Sequence, residues 1–359
     1  MRIVAAPDSF KGSIGAAEAA AALARGWRDA RPSDEVLQLP LADGGEGTLA
    51  VLAASVPASR RHTATVSGPG RAQVSASWLE IGGNEHIIEL ATAAGLTQLR
   101  KLDPLHAHSY GVGELMRHAL NAGARRIVIA LGGSACTDGG SGALAALGAR
   151  FLDASGRELP RGGAALSRLA RVDLSGLRPP PPLGVACLTD VRAPLLGPGG
   201  AAAVFGPQKG AGPAEIAALE AGLAQLATVL GGEPDAPGAG AAGGTGYGLA
   251  AVWGAVLQAG AAAIAAIAGL PEALAGADLV ITGEGQHDAT SQSGKVVGAV
   301  LALAAAAGVP AVVVAGVLAA APPVLAVELA SLAGSQAQAM TGSARWLAVA
   351  GRELASRMP

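Results

Sequence analysis

The first forty residues alternate between apolar runs and an amphipathic stretch of helical period. Their pattern predicts a strand over 2–6, a helix over 13–30 and a second strand over 35–39. A glycine-rich loop over 40–48 then opens onto another helix. This succession is typical of a βαβ unit, whose strands lie in a parallel sheet.

The pattern then changes to strict alternation of apolar and polar side chains. Alternation over 74–81 and 86–90 predicts an antiparallel hairpin that turns at Gly82, Gly83 and Asn84. The segments that follow are predicted to be a helix over 111–122, a strand over 127–131, a helix over 213–230 and a loop over 231–248.

The strand–helix rhythm returns with a strand over 278–282. We therefore predict an α/β fold of two domains. One is Rossmann-like, with a parallel sheet built from both chain termini (1–65 and 275–359), and the other is an inserted mixed α/β domain (66–274). The cleft between two such domains is the expected active site.

Residues 299–327 contain no charged side chain and are long enough to span a bilayer. Gly308 and Pro310 interrupt this stretch near its middle. A buried helix, a turn and a buried parallel strand over 311–315 is therefore the favoured interpretation, because parallel strands covered on both faces are continuously apolar.

Composition narrows the function classes. The chain has 359 residues, of which 51% are apolar, and a net charge of −2 without runs of like charge. Nucleic acid and an anionic membrane surface are thus disfavoured as partners. The N-terminal apolar run is too short for a signal peptide, and Cys136 and Cys187 are expected to be reduced thiols, so we expect a soluble cytoplasmic protein.

Candidate chemistry is concentrated in glycine-rich segments that combine tight turns with carboxylates. Glycine lets backbone N–H groups approach phosphate closely, and ligands of open α/β sheets bind beyond the carboxyl ends of strands. The segments span 6–12, 41–48, 131–140, 188–191, 205–210 and 281–288.

Lysine usage points the same way. Only four of the 25 basic residues are lysines, and Lys11, Lys209 and Lys295 each adjoin a glycine in or beside these segments. An ammonium group is a good point-charge partner for phosphate. The chain has neither a P-loop nor the protein-kinase motifs, and the glycines of 243–248 do not follow a predicted strand as a dinucleotide fingerprint requires.

Histidine and serine residues are weaker candidates. His106 and His108 lack an evident third zinc ligand, and His287 is interpreted as a bystander rather than a substrate contact. Ser9 and Ser134 have no histidine placed to activate them, which favours binding roles over nucleophilic ones.

Taken together, these segments resemble the bacterial-type glycerate kinase family along nearly the whole chain. The motifs that carry the resemblance are A-P-D-S-F-K at 6–11, L-A-D-G-G-E-G-T at 41–48, G-G-S-A at 132–135, D-G-G at 138–140, F-G-P-Q-K-G-A at 205–211 and L-V-I-T-G-E-G at 279–285. The resemblance implies phosphorylation of D-glycerate by ATP and Mg²⁺, with 2-phosphoglycerate favoured over 3-phosphoglycerate as the product.

Three departures from the family pattern stand out. Ala193 replaces a common Asn, and Gln286-His287 replaces a common Arg-Ile after G-E-G. The alanine-rich segment after Gly316 is also shorter than usual and is expected to lack the typical hydrophobic strand.

Phosphoryl transfer needs positioning and charge neutralisation more than covalent chemistry. The expected roles of the lysines and carboxylates follow from this requirement. The expected catalytic residues are Asp190, Asp288, Lys295 and Lys11, with Asp190 and Glu284 as Mg²⁺ ligands. The expected substrate and phosphate contacts are Asp8, Ser9, Asp43, Gly44, Gly45, Gly132, Gly133, Ser134, Asp138, Gln208, Lys209, Gly243, Gly244 and Glu284.

Two alternatives remain open at this point: a kinase for a related small hydroxy acid, and a degenerate sensor that binds nucleotide or acid without turnover. The carboxylates retained beside the phosphate loops disfavour a pure binder. The expected partners are small molecules only, and the expected assembly is a monomer or a homodimer.

Overall fold

The predicted strands and helices mostly form where the apolar pattern places them. The computed structural model describes residues 1–289, 291 and 295–358. Within these residues the strands are β1 (Arg2–Ala5), β2 (Glu35–Gln38), β3 (Arg60–Ser67), β4 (Gln73–Ile81), β5 (Glu85–Glu89), β6 (Arg126–Ala130), β7 (Arg150–Leu152), β8 (Arg171–Asp173), β9 (Val185–Leu188), β10 (Val256–Gln258), β11 (Leu279–His287), β12 (Ala311–Leu318) and β13 (Leu325–Glu328).

The helices range from single turns to five turns. They are α1 (Ala16–Ala30), α2 (Thr48–Ser55), α3 (Ala91–Ala94), α4 (Tyr110–Asn121), α5 (Ser141–Ala146), α6 (Ala201–Phe205), α7 (Pro213–Leu230), α8 (Ala241–Trp253), α9 (Gly260–Ile267), α10 (Leu270–Leu274), α11 (Val296–Ala307), α12 (Leu329–Ala333), α13 (Gln336–Thr341) and α14 (Ser343–Arg357). Among the described residues, no helix is both long and apolar enough to cross a membrane.

The chain divides into two units, each with its own core. The first unit comprises 1–43, 50–57 and 259–359, and the second comprises 44–49 and 58–258. The first unit is therefore assembled from both ends of the chain. The domain limits proposed from the sequence, 1–65, 66–274 and 275–359, stay a prediction.

The sheet of the first unit has the strand order β13-β12-β11-β1-β2, and every pair in it is parallel. In chain order this is the doubly wound, flavodoxin-like arrangement. The direction of winding reverses between β1 and β11, where Ile3 pairs with Leu279. Loops that leave the carboxyl ends of these two strands flank a natural crevice for ligands.

Two helices cover one face of this sheet by unusually close packing. A Cβ atom on Gly26 of α1 would lie 1.8 Å from the carbonyl oxygen of Ala348 in α14. A Cβ atom on Gly351 would lie 2.4 Å from the carbonyl oxygen of Leu23. Glycine at both positions thus lets the two helix backbones touch.

We expect Gly351→Ala to lower the free energy of unfolding by about 1–3 kcal/mol, because the added methyl group forces the helices apart. Urea unfolding of the variant measures this loss. Gly199→Ala is the matched control, since Gly199 is exposed and a Cβ there meets no atom within 4 Å. Equal transition midpoints for the two variants would contradict close packing of α1 against α14.

The second unit is built on a mixed sheet in the order β10-β9-β6-β5-β4-β3. The predicted hairpin is present, since β3, β4 and β5 pair antiparallel, whereas β5, β6, β9 and β10 pair parallel. Strands β7 and β8 form a separate antiparallel pair. The carboxyl ends of β5, β6 and β9 thus lie side by side.

Two sequence expectations about the fold are wrong. The predicted loop over 231–248 contains the start of helix α8, whose first residues Ala242, Gly243 and Gly244 have positive φ. The hydrophobic strand expected to be missing after Gly316 is present as β13, which pairs with β12 at the sheet edge. Four residues that follow two prolines give too short a pattern to reveal this strand.

Candidate active site

A cavity of about 410 Å³ lies within the first unit. It is lined by the segment that follows β1, by the carboxyl-terminal parts of β11 and β12, and by residues of the C-terminal helices. The lining residues are Asp8, Ser9, Phe10, Lys11, Ser13, Asp43, Glu284, Gly285, Gln286, Asp288, Lys295, Gly316, Val317, Leu329, Gln336, Ala339, Met340 and Ser343. Every site residue predicted in this unit is among them.

The β1–β11 ladder brings two of these acids together. Asp8 N–H donates to the carbonyl oxygen of Gly283 at 2.8 Å, which extends the strand pairing beyond β1. Thr282 Oγ1 donates to the carbonyl oxygen of Ala6 at 2.9 Å on the same ladder. Asp8 therefore lies beside Glu284, although 276 residues separate them in the chain.

Asp8 has a strongly perturbed carboxyl group. Its pKa is raised to about 7, chiefly by burial and in smaller part by the negative charges of Asp43 and Glu284. The Ser9 N–H, 2.6 Å from Asp8 Oδ1, and the Lys11 ammonium act in the opposite direction. A carboxylate with a pKa near neutrality is suited to accepting a proton from a substrate hydroxyl.

Lys11 supplies an exposed positive charge to this acidic cluster. Its Nζ lies 3.9 Å from Asp43 Oδ2, and 82% of its side chain is exposed. An ion pair of this kind is weak, so the ammonium remains available to a phosphate group.

Glycines in and beside the T-G-E-G motif are explained by close contacts between the neighbouring strands β11 and β12. A Cβ on Gly283 would lie 2.1 Å from the Val314 carbonyl oxygen, and one on Gly316 would lie 2.3 Å from the Gly285 carbonyl oxygen. Glycine therefore allows β12 and the loop after β1 to close around Glu284.

The far end of β11 adds a buried hydrogen bond and a helix start. His287 Nδ1 lies 2.8 Å from Glu284 Oε1. Asp288 N–H donates to Ser291 Oγ at 3.0 Å, and Lys295 immediately precedes the first turn of α11. The N–H groups of a first helical turn carry partial positive charge, so Lys295 and α11 together form an electropositive element.

In the second unit, two predicted phosphate loops touch each other. A Cβ on Gly132 would lie 2.4 Å from Gly45 Cα, and Gly132 N–H approaches the Gly44 carbonyl oxygen at 3.4 Å. Gly133 is exposed in the same loop, whereas Ser134 is 8% exposed. A ligand at this loop would therefore meet backbone groups rather than the serine hydroxyl.

Sequence reasoning missed Glu89, which organises one of these loops. Its carboxylate is 5% exposed and accepts the N–H groups of Gly47 and Leu49 at 3.1 Å each. Burial raises its pKa, while these two hydrogen bonds lower it. An acid at the end of an apolar strand was the available signal, because strand ends carry ligand sites.

Four other predicted phosphate contacts, Lys209, Asp138, Gly243 and Gly244, are buried around the segment 136–140. Lys209 is 1% exposed, and its Nζ donates to the Cys136 carbonyl oxygen at 2.5 Å. Asp138 is 0% exposed and accepts from Ser109 and from the backbone around Gly140. Gly243 and Gly244 are buried, with Gly243 packed against the Cys136 carbonyl group. Burial favours structural roles for these residues, and direct phosphate contact stays a prediction.

The remaining predicted residues of the second unit occupy strand and helix ends. Asp190 follows β9 at the sheet edge, and Gln208 is exposed in a short 3₁₀ turn. Their assigned roles stay predictions. Within the described parts of the chain, no three His, Cys, Asp or Glu side chains are arranged as a metal cluster.

Comparison with known proteins identifies the family to which the chain belongs. The family model described as the glycerate kinase family matches residues 3–358. The chain belongs to the glycerate kinase family. Its members include Glycerate 2-kinase of Escherichia coli K12, 44% identical over 82% of this chain and 80% of that protein. Glycerate kinase of Bacillus subtilis 168 is 42% identical over 88% of this chain and 85% of that protein.

A solved structure of a glycerate kinase supports the same assignment. A crystal structure assigned to glycerate kinase 2 from Salmonella typhimurium LT2 matches with a TM-score of 0.87 and 39% identity. The match covers 99% of this chain and 97% of that one. The predicted α/β fold, the family resemblance and the enzyme class, a kinase, are thereby confirmed.

Proposed function

We propose that this glycerate kinase transfers the γ-phosphoryl group of ATP to the 2-hydroxyl of D-glycerate with the help of Mg²⁺. The observation that carries the proposal is the first-unit cavity, in which Asp8, Asp43 and Glu284 lie together with Lys11 and Lys295. Acids and lysines in one cavity combine the groups that hold a metal–phosphate and accept a proton. The name of the Escherichia coli relative, Glycerate 2-kinase, supports the choice of hydroxyl.

Phosphate neutralisation is assigned to the two lysines of the cavity. Lys11 is mostly exposed and carries its ammonium group on a flexible stem, so it can follow the transferred group. Lys295 lies at the positive end of α11, a 12-residue helix, where a phosphate would gain from both charges. The contacting backbone loops at Gly44–Gly45 and Gly132–Gly133 are proposed as further phosphate contacts.

Asp8 is the proposed general base. Its raised pKa and its place at the winding reversal between β1 and β11 support this role. It would take the proton of the glycerate hydroxyl as the oxygen attacks phosphorus. Asp288, which lines the same cavity, and Asp190 remain the alternatives for this step.

The donor set fits Mg²⁺. This ion prefers oxygen ligands and is usually held by one or two carboxylates together with substrate phosphates. Asp43 and Glu284 are the proposed carboxylates, with Asp190 kept as a predicted ligand. When bound, Mg²⁺ would offset the negative charge of the phosphates.

The apolar residues of the cavity lining suit the base of a nucleotide. Phe10, Val317, Leu329 and Met340 give the cavity an apolar surface, and Gln336 adds an amide group. Mostly apolar walls with a few polar groups are typical of cofactor and nucleotide sites. The presence of both charged and apolar groups in the cavity lining supports ATP as the phosphoryl donor.

One observation favours a second candidate, a kinase for a related small hydroxy acid. Gln286 lines the cavity at the position where the family commonly has Arg. The missing cation would change how the carboxylate of the acceptor is held. A panel of hydroxy acids, each supplied with ATP and Mg²⁺, separates this candidate from D-glycerate.

We expect ADP release that depends on D-glycerate, at a kcat of about 1–100 s⁻¹, the usual range for kinases. Phosphorus NMR of the product identifies the phosphorylated hydroxyl. A 3-phosphoglycerate signal would contradict the regiochemistry alone. Folded protein that binds ATP but turns over no glycerate would contradict the activity. Cytoplasmic location and a monomeric or homodimeric state remain predictions.

A further inference from the structure

The fully buried imidazole of His287 forms a hydrogen bond with Glu284, one of the acids that line the cavity. His287 Nδ1 and Glu284 Oε1 lie 2.8 Å apart, and the two side chains are 0% and 9% exposed. An ionised carboxylate can only accept, so the ring donates from Nδ1. Hydrogen bonds to a charged acceptor are shorter and stronger than neutral ones, and burial keeps water from competing.

The other ring nitrogen has no such role. His287 Nε2 is buried and has no hydrogen-bond partner among the described residues. A buried polar atom without a partner lowers stability, so an apolar residue would fill this place at less cost. The Nδ1–H bond to Glu284 is therefore the feature that distinguishes histidine here.

The backbone that carries the ring is itself fixed. The His287 carbonyl oxygen accepts the N–H groups of Ala319 and Ala320 at 2.8 and 3.1 Å, and His287 pairs with Leu318 in the sheet. Because the donor cannot drift, Glu284 Oε1 is held toward the protein. The hydrogen bond to His287 uses only Oε1, and Glu284 itself lines the cavity.

We propose that His287 is a positioning residue, which locks the Glu284 carboxylate in the orientation that presents one oxygen to the metal–nucleotide. The proposal rests on the proposed role of Glu284 in the kinase site. It assigns a task to a position where the family commonly has Ile, a residue that has no donor.

Three substitutions separate the hydrogen bond from the space that the ring fills. The side-chain amide nitrogen of His287→Asn can replace Nδ1, whereas that of His287→Gln replaces Nε2. His287→Ile fills the site without a donor. Asn and Gln are both polar amides, so their comparison does not depend on how the isoleucine variant folds. Circular dichroism confirms that each variant used is folded.

We measure the dissociation constant of Mn²⁺, in the presence of ADP, by electron paramagnetic resonance, together with kcat and KM for D-glycerate. Loss of a residue that orients a metal ligand typically costs 10–100-fold in metal affinity or activity. We therefore expect about a tenfold weaker Mn²⁺ affinity and a lower kcat for His287→Gln and His287→Ile. We expect near wild-type values for His287→Asn and little change of KM throughout.

A double-mutant cycle tests whether His287 acts through Glu284. In a Glu284→Gln background we expect His287→Ile to cause no further loss of Mn²⁺ affinity, because there is no carboxylate left to orient. Equal, additive losses in both backgrounds would overturn the proposal, as would equal affinities for the Asn and Gln variants. Absent glycerate turnover in the wild type would contradict the proposed function, while the Mn²⁺ measurement would still decide the role of His287.

Discussion

Asp8→Asn is expected to lower kcat by about 10²-fold or more while making the nucleotide-free protein more stable at pH 8. The kinetic loss follows if Asp8 is the base, because removing a positioned acid–base group typically costs 10²–10⁴-fold. The variant retains an oxygen that can accept the Ser9 N–H. Steady-state assays over pH 6–9 and urea unfolding in the absence of Mg²⁺ measure the two effects.

The stability effect follows from the sign of the pKa shift. The pKa of Asp8 is raised from 3.8 to about 7 on folding, so the folded protein binds more protons than the unfolded chain between those values. The wild type therefore loses stability as pH rises from about 4 to 7. Asp8→Asn removes this loss, which leaves the variant about 1–3 kcal/mol more stable at pH 8 and little changed near pH 4.

Asp29→Asn is the control for Asp8→Asn, because Asp29 is exposed and forms an ion pair with Arg352 at the surface. It is expected to change neither kcat nor the pH dependence of unfolding. If Asp8→Asn retained wild-type kcat, the base would have to be sought at Asp288 or Asp190. A stability difference that does not vary with pH would show that the pKa of Asp8 is not raised.

The largest stability loss is expected for Asp138→Ala, about 3–5 kcal/mol. The Asp138 carboxylate is completely buried and accepts four hydrogen bonds, from Ser109 N and Oγ and from the N–H groups of Gly140 and Gly142. Alanine would leave these donors buried without an acceptor. Urea unfolding, with the transition followed by tryptophan fluorescence, measures the loss.

Asp153→Ala provides a matched comparison. Asp153 also accepts several hydrogen bonds, from Ser155 N and Oγ and from Arg157 N, but in an exposed turn where water can replace it. It is expected to shift the unfolding midpoint only slightly. An equally small shift for Asp138→Ala would contradict a structural role and return Asp138 to the list of ligand contacts.

The strand-end acids could be predicted from the sequence because they follow directly from strand order. Apolar runs before Asp8 and before Glu284 predict two strands of one parallel sheet with these acids near their ends. The direct pairing of β1 with β11, and the continuation of β11 through Glu284 to His287, come from the structure alone. What the sequence could not provide was the pKa of Asp8, which depends on burial and on the charge of Asp43.

Lysine and glycine signals were harder to interpret. Lys11, Lys209 and Lys295 look alike in sequence, each beside a glycine, yet Lys11 is exposed and Lys209 is buried. Only the tertiary packing shows which lysine is free to contact a ligand and which one holds a loop in place. Likewise, the glycines at 243–248 suggested a loop, whereas Gly248 lies inside α8. Glycine is needed there for packing, because a Cβ would lie 2.0 Å from the Gly139 carbonyl oxygen.

The position of β1 inside its sheet, between β2 and β11, has a consequence for biosynthesis. One neighbour of β1, the strand β2, is made within the first 38 residues, but the other, β11, begins only at Leu279. During translation the N-terminal strand must wait with one edge unpaired while more than two thirds of the chain emerges. The second unit, whose strands all lie between residues 60 and 258, can complete its own sheet in that interval. The acidic cluster around Asp8 and Glu284 is therefore among the last features of the enzyme to form.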